Sequence, residues 1–312
     1  MLLNLALIML GVALLYVGGE MLVRYSTELA KAMRVSPVVI GLTVVAFGTS
    51  APELAVGVTA ALNDQGSLAF GNVVGSNIAN IGLILGLTTL FTPLAIDSQL
   101  QRREIPFMIG ISILLFLFVA TGEIGRLPAL IYAFLFVSFL AVLLRSGQMI
   151  DEEEDGDEEK GGLLKPLLGA VAGLALLIGG ATLMVEAATE LARALGVSER
   201  VIGLTLTAFG TSVPELAGCL VAAAKRQSGL VLGNIIGSNI FNLLLILPSV
   251  ASIQPIAVSL GASGIDVGVM IVFAFALMVG FVGDRRVNRW EGALLLAGYL
   301  GYNAYLALSE MA

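Results

Sequence analysis

The chain of 312 residues has no histidine, one cysteine and one tryptophan, and only 12% of its residues are charged. Without histidine it lacks the commonest general base, the usual zinc ligand and the usual proton shuttle. A single cysteine, Cys219, excludes an internal disulfide and a cysteine-based metal centre. So little charge does not suit the surface of a soluble domain.

What is present is apolar sequence. Hydrophobic residues make up 58% of the chain, and the mean hydropathy is +0.98. Runs of about twenty such residues are long enough to cross a bilayer. Ten spans are predicted, at 2–23, 37–62, 67–90, 105–121, 127–145, 165–186, 199–224, 229–251, 264–283 and 290–309. Pro37, Pro106, Pro128 and Pro166 open spans, where a missing N–H costs nothing. Pro93 and Pro255 fall just past span ends and Pro248 near one, so only Pro52 and Pro214 lie in mid-span. The first run has no basic leader and carries Glu20, so it reads as a retained helix rather than a cleaved signal.

Basic residues set the expected orientation. Arg24, Lys31, Arg34, Arg102, Arg103, Arg145, Lys160, Lys165, Lys225, Arg226, Arg285, Arg286 and Arg289 fall on one side of this arrangement; only Arg126, Arg193 and Arg200 fall on the other. The bias predicts a plasma (inner) membrane protein with both termini outside. It places the acidic block 151–159, DEEEDGDEE, in the cytoplasm. Like charges in such a block repel, so it reads as a solvated linker. It lacks the alternating ligand spacing of an ordered calcium loop.

The spans repeat. Gly41–Leu54, GLTVVAFGTSAPEL, returns as GLTLTAFGTSVPEL at Gly203–Leu216, with eleven of fourteen positions identical and an offset of 162. Gly71–Leu85, GNVVGSNIANIGLIL, returns as GNIIGSNIFNLLLIL at Gly233–Leu247, with ten of fifteen identical and the same offset. Each unit holds five spans, an odd number, so the second copy enters the membrane from the opposite side. The predicted fold is therefore an all-α polytopic membrane protein. It has ten transmembrane helices in two inverted-topology five-helix repeats, 1–145 and 165–312, joined by the loop 146–164. In transporters such a repeat places the substrate site near the midplane, where the repeats meet.

The motifs carry oxygen chemistry. Pro52 and Pro214 cannot donate to the preceding turn, so each span should kink or unwind near Gly48-Thr49-Ser50 or Gly210-Thr211-Ser212 and free carbonyl oxygens there. Glu53 and Glu215 follow the prolines, and a carboxylate within a membrane marks a functional site by default. Ser76, Asn77 and Asn80 share one face of span 3, as Ser238, Asn239 and Asn242 do in span 8. Gly71 and Gly75 are spaced for close helix approach. Singly, a membrane serine or asparagine usually joins helices; both sets recurring at one offset points to a shared site. Its donors are all oxygen and its charge is −2, which suits Ca²⁺ better than Mg²⁺ or softer metals.

The pairs GTSAPE/GTSVPE and GSNIAN/GSNIFN resemble the alpha repeats of the cation/calcium antiporter superfamily, and within it the sodium/calcium exchangers of prokaryotic type. The resemblance covers both halves and implies alternating access, with Na⁺ entering as Ca²⁺ leaves and no cofactor. It implies Glu53 and Glu215 as central calcium ligands, joined by the carbonyls of Thr49 and Thr211. Sodium would use those glutamates with Ser50, Ser212, Ser76, Ser238 and the carbonyls of Ala46 and Ala208, and Asn80 and Asn242 would complete the layer. Some relatives carry aspartate where this chain has Asn242, and the asparagine argues against potassium dependence. The expected partners are the bilayer and the two ions, with no nucleic acid and no obligate protein. The alternatives are a proton/calcium antiporter using the same glutamates and, further off, a cation channel or an intramembrane hydrolase.

Overall fold

A computed structural model describes residues 1–146, 162–197, 210–279 and 285–309. The acidic block 151–159 and residues 198–209, with Arg200, Ala208 and most of the second GLTLTAFG copy, lie outside the described residues. The described chain is mostly helical, with short turns and loops and four two-residue strands. Five of its helical stretches are long and apolar enough to cross a membrane, or six if the bent pair Pro37–Thr49 and Ala51–Leu62 forms one span.

The chain forms two compact units, each drawing on both sequence halves. The first comprises Met1–Pro52 and Leu143–Asn234. Its frame is α1 (Leu2–Met33) against α9 (Leu164–Ala194). A Cβ at Gly11 would come 2.8 Å from the Gly180 carbonyl oxygen, and one at Gly18 would come 2.8 Å from that of Gly173. The two helices therefore run antiparallel with their backbones touching, which only glycine permits. Gly173 and Gly180 are the counterparts of Gly11 and Gly18 at the 162-residue offset. Both helices outrun their predicted spans. Arg24 pairs with Glu28 at 3.0 Å and Arg193 with Glu190 at 2.7 Å, so polar turns continue each helix beyond the apolar run. The same unit contains α2 (Pro37–Ile40), a π-helical turn at Gly41–Val45 and α3 (Ala46–Thr49). It also holds α10 (Val213–Ala224), whose Lys225 end donates to Glu20 on α1 at 2.5 Å.

The second unit comprises Glu53–Val142 and Ile235–Ala312. It holds most of α4 (Ala51–Leu62), then α5 (Gly66–Ala79), a π-helical stretch at Asn80–Leu85 and α6 (Gly86–Phe91). A further π turn at Leu100–Glu104 leads into α7 (Ile105–Val119), and α8 (Arg126–Ser146) follows. From the second half come the end of α11 (Ser228–Phe241), a π turn at Asn242–Ile246, α12 (Leu247–Ile253), α13 (Ala262–Val279) and α14 (Arg289–Ser309). Within this unit α13 packs on α7 and α14 on α6; a Cβ at Gly86 would lie 3.0 Å from the Gly292 carbonyl oxygen. The strands β1 (Leu94–Ala95) and β4 (Arg286–Val287) pair antiparallel, as do β2 (Glu123–Ile124) and β3 (Ile256–Ala257). Two residues are too few to show an alternating pattern, so the sequence reading contains no strand.

The small-residue spacing does serve close packing in the second copy: a Cβ on Gly233, the counterpart of Gly71, would meet the Gly41 Cα at 3.1 Å. Among the described residues nothing lies within 4 Å of where a Cβ would stand on Gly71 or Gly75, and Gly203, the counterpart of Gly41, lies outside the described residues.

Candidate functional site

Each proline motif breaks its helix at the serine. Ser50 takes φ −81° and ψ 4°, and Ser212 takes φ −91° and ψ 1°. Both lie in the sparsely populated bridge region, where active-site residues recur. α4 starts at Ala51 and α10 at Val213, so Pro52 and Pro214 occupy second helical positions, where a missing N–H is cheap. Glu53 and Glu215 then fall in the first turns, at the positive end of each helix dipole. Both glutamates are 2% exposed. The neighbouring glycines serve packing: a Cβ on Gly48 would overlap Leu174 of α9, and one on Gly210 would come 3.1 Å from Val185.

In the first unit lie Ala46, Thr49, Ser50, Thr211, Ser212 and Glu215 of the expected site residues. Thr49, Ser50 and Ser212 are buried. The Thr49 hydroxyl lies 3.1 Å from Asn234 Oδ1, and Asn234 Nδ2 donates to Cys219 Sγ at 3.4 Å. The carbonyl of Ala46 accepts the Ser50 N–H at 3.0 Å and the Thr49 hydroxyl at 3.5 Å. The Ser50 hydroxyl oxygen is buried and has no hydrogen-bond partner.

In the second unit lie Glu53, Ser76, Asn80, Ser238 and Asn242, all buried. Asn72 donates to the main-chain carbonyl of Glu53 at 3.3 Å. Asn80 and Asn242 each open a π-helical segment, a local distortion often found at functional sites. Their amides bond reciprocally: Asn80 Nδ2 donates to Asn239 Oδ1 and Asn242 Nδ2 donates to Asn77 Oδ1, both at 3.0 Å. Beyond them Asn77 Nδ2 reaches Met270 Sδ at 3.4 Å, and Asn239 Nδ2 reaches Met108 Sδ at 3.6 Å. Every pair in this network is equated with another by the 162-residue offset. Asn242 Oδ1 is buried with no hydrogen-bond partner.

Asn77, Asn239, Asn234 and Asn72 are absent from the ligand set drawn from the resemblance, although GN and GSN stand in both copies. Met108 and Met270 belong to no motif, since span 4 and its counterpart share few residues. Their signal is the shared offset alone. Among the described residues no group of three or more His, Cys, Asp or Glu gathers, so a cation here would be held by isolated carboxylates and neutral oxygens.

Long apolar helices whose buried interior carries carboxylates, hydroxyls and amides define an integral, multi-pass membrane protein. Residues 3–145 and 165–308 match the family of sodium/calcium exchanger proteins, and the chain belongs to that family. It is thus a cation/calcium antiporter, in a family of transporters and not of enzymes. CaxA of Alkalimonas amylolytica is 38% identical over 97% of this chain and 98% of its own length. The sodium/calcium exchanger MaX1 of Methanosarcina acetivorans is 30% identical over 96% of this chain and 97% of its own. Among solved structures, the sodium–calcium exchanger NCX_Mj superposes with a TM-score of 0.87 at 33% identity, covering 97% of this chain and 98% of that one.

Proposed function

We propose that the protein is a secondary-active Na⁺/Ca²⁺ antiporter that works by alternating access. Glu53 and Glu215 bind Ca²⁺ and Na⁺ near the membrane midplane, with Thr49, Thr211, Ser50, Ser212, Ser76, Ser238, Asn80 and Asn242 and the carbonyls of Ala46 and Ala208 as further oxygen donors. Ten spans form two inverted repeats, both termini lie outside the plasma membrane and the acidic block 151–159 faces the cytoplasm.

The reciprocity of the asparagine network carries this reading. In an inverted repeat, residue i of one copy meets j of the other while j of the first meets i of the second, as in any two-fold contact. Asn80 with Asn239 and Asn77 with Asn242 follow that rule in one unit; Gly11 with Gly180 and Gly18 with Gly173 follow it in the other. The matched serine breaks place one buried glutamate in each copy at a helix N-terminus. One Ca²⁺ neutralises two carboxylates. Two Na⁺ also neutralise them, and three leave one positive charge, which makes exchange electrogenic. NCX_Mj has been soaked with Na⁺, Ca²⁺ and Sr²⁺, the hard cations such a donor set favours.

The test is calcium uptake into sealed proteoliposomes holding the purified protein, driven in parallel by outward sodium and outward proton gradients. Uptake with sodium alone supports the proposal, and a dependence on membrane potential selects three sodium ions over two. Uptake with protons alone overturns sodium coupling and makes Glu53 and Glu215 the proton carriers.

A further inference from the structure

We infer that Met108 and Met270 are positioning residues that set which atom of Asn80 and Asn242 faces the transported cation. This rests on the exchanger reading above and adds two residues that touch no ion.

The argument is one of donors and acceptors. A carboxamide has one oxygen and one NH₂, and packing barely tells them apart, so its orientation is decided by what each end meets. Asn77 Nδ2 meets the Met270 sulfur, a weak acceptor with no proton to give, at 3.4 Å. Flipping Asn77 would set its oxygen against the sulfur lone pairs and its NH₂ against the NH₂ of Asn242. The sulfur therefore fixes Asn77 Oδ1 toward Asn242, and Asn242 Nδ2 donates to it at 3.0 Å. That bond commits the nitrogen of Asn242 and leaves Oδ1 as its outward atom, buried and without a hydrogen-bond partner. The same relay runs from Met108 through Asn239 to Asn80. Met108 and Met270 are 1% and 2% exposed, so no water replaces the sulfur as acceptor. A reversed Asn242 would present NH₂ to a cation and repel it.

Leucine keeps the volume of methionine and removes the acceptor, so M270L and M108L isolate this role. Calcium binding is measured by calorimetry on the detergent-purified full chain, with thermal unfolding alongside. Sodium-driven uptake gives apparent KM and maximal rate. Wild type is expected to bind calcium. M270L and M108L are each expected to weaken calcium binding and raise the apparent KM by about tenfold, the effect of one lost buried hydrogen bond, with unfolding temperature little changed. In an Asn77→Ala background M270L should add nothing, because its lever is gone. Selenomethionine labelling of wild type, which keeps an acceptor at both positions, should leave calcium affinity unchanged; a tenfold loss there would count against the inference. Unchanged calcium affinity in M270L and M108L, or a full additional loss on top of Asn77→Ala, overturns the inference while leaving the exchanger reading intact. Absence of calcium binding and sodium-driven uptake in wild type overturns both.

Discussion

Ser50 and Ser212, 162 positions apart, hold the same unwound backbone, φ −81° and ψ 4° at one and φ −91° and ψ 1° at the other. Each sits directly before a helix whose second residue is proline and whose third is a buried glutamate. Each break therefore puts a buried glutamate in the first turn of a helix, at the positive end of its dipole. A charge at such depth in a membrane costs roughly 2.5–3.5 kcal/mol or more, which marks both positions as functional candidates.

Replacing Glu53 or Glu215 by glutamine keeps the shape and one acceptor oxygen, turns the other into an NH₂ donor and removes half of the proposed site charge. Sodium-driven calcium uptake in E53Q and in E215Q should fall to background in proteoliposomes. Unfolding temperature should hold or rise, since a buried charge has gone. Calcium flux at the wild-type rate in either variant would refute the ligand assignment.

Pro52→Ala and Pro214→Ala restore an N–H that lets the helix run through the serine. In a helix continued through the serine the N–H groups of residues 53 and 215 would bond the carbonyls of Thr49 and Thr211, removing an oxygen from the proposed ligand set, worth about 1.5 kcal/mol or about tenfold in calcium affinity. Calorimetric titration should show that loss with stability held or raised. A lowered unfolding temperature with unchanged affinity would make the prolines purely structural.

Asn242→Asp adds a third carboxylate to the proposed set. An aspartate can take up a proton where asparagine cannot, so protons then compete with calcium for the added group. Calcium affinity in N242D should therefore fall more steeply than in wild type as the pH is lowered, and binding isotherms across a pH series measure it.

Gly173→Ala tests the helix crossing. Its new methyl would sit 2.6 Å from the Leu22 backbone nitrogen, which cannot move without shifting α1. Overpacking of this kind costs about 1–3 kcal/mol, read as a lower unfolding temperature in detergent. By contrast Lys225→Met should cost under about 1 kcal/mol. The Lys225 and Glu20 side chains are 37% and 36% exposed, and solvent screens the pair.

The helices were legible because membrane spans announce themselves by length and apolarity, and the predicted bounds at 105–121, 127–145 and 290–309 fall within a few residues of α7, α8 and α14. The ends of α1 and α9 were missed because amphipathic turns continue a helix without lengthening its apolar run. The breaks at Ser50 and Ser212 followed from proline chemistry, which is local. The small-residue spacing permits the close approach seen at Gly233, but which helix it meets was not in the spacing.

By itself the sequence determined the two copies, their offset, the glutamates, the helix breaks and the oxygen-only chemistry, since each follows from residue type and spacing along the chain. Only the tertiary structure decided that Asn77 faces Asn242, that Asn80 faces Asn239 and that methionine sulfurs stand behind both. Those partners lie 131 to 193 positions apart, and the direction of a carboxamide is set by atoms that no local pattern brings together.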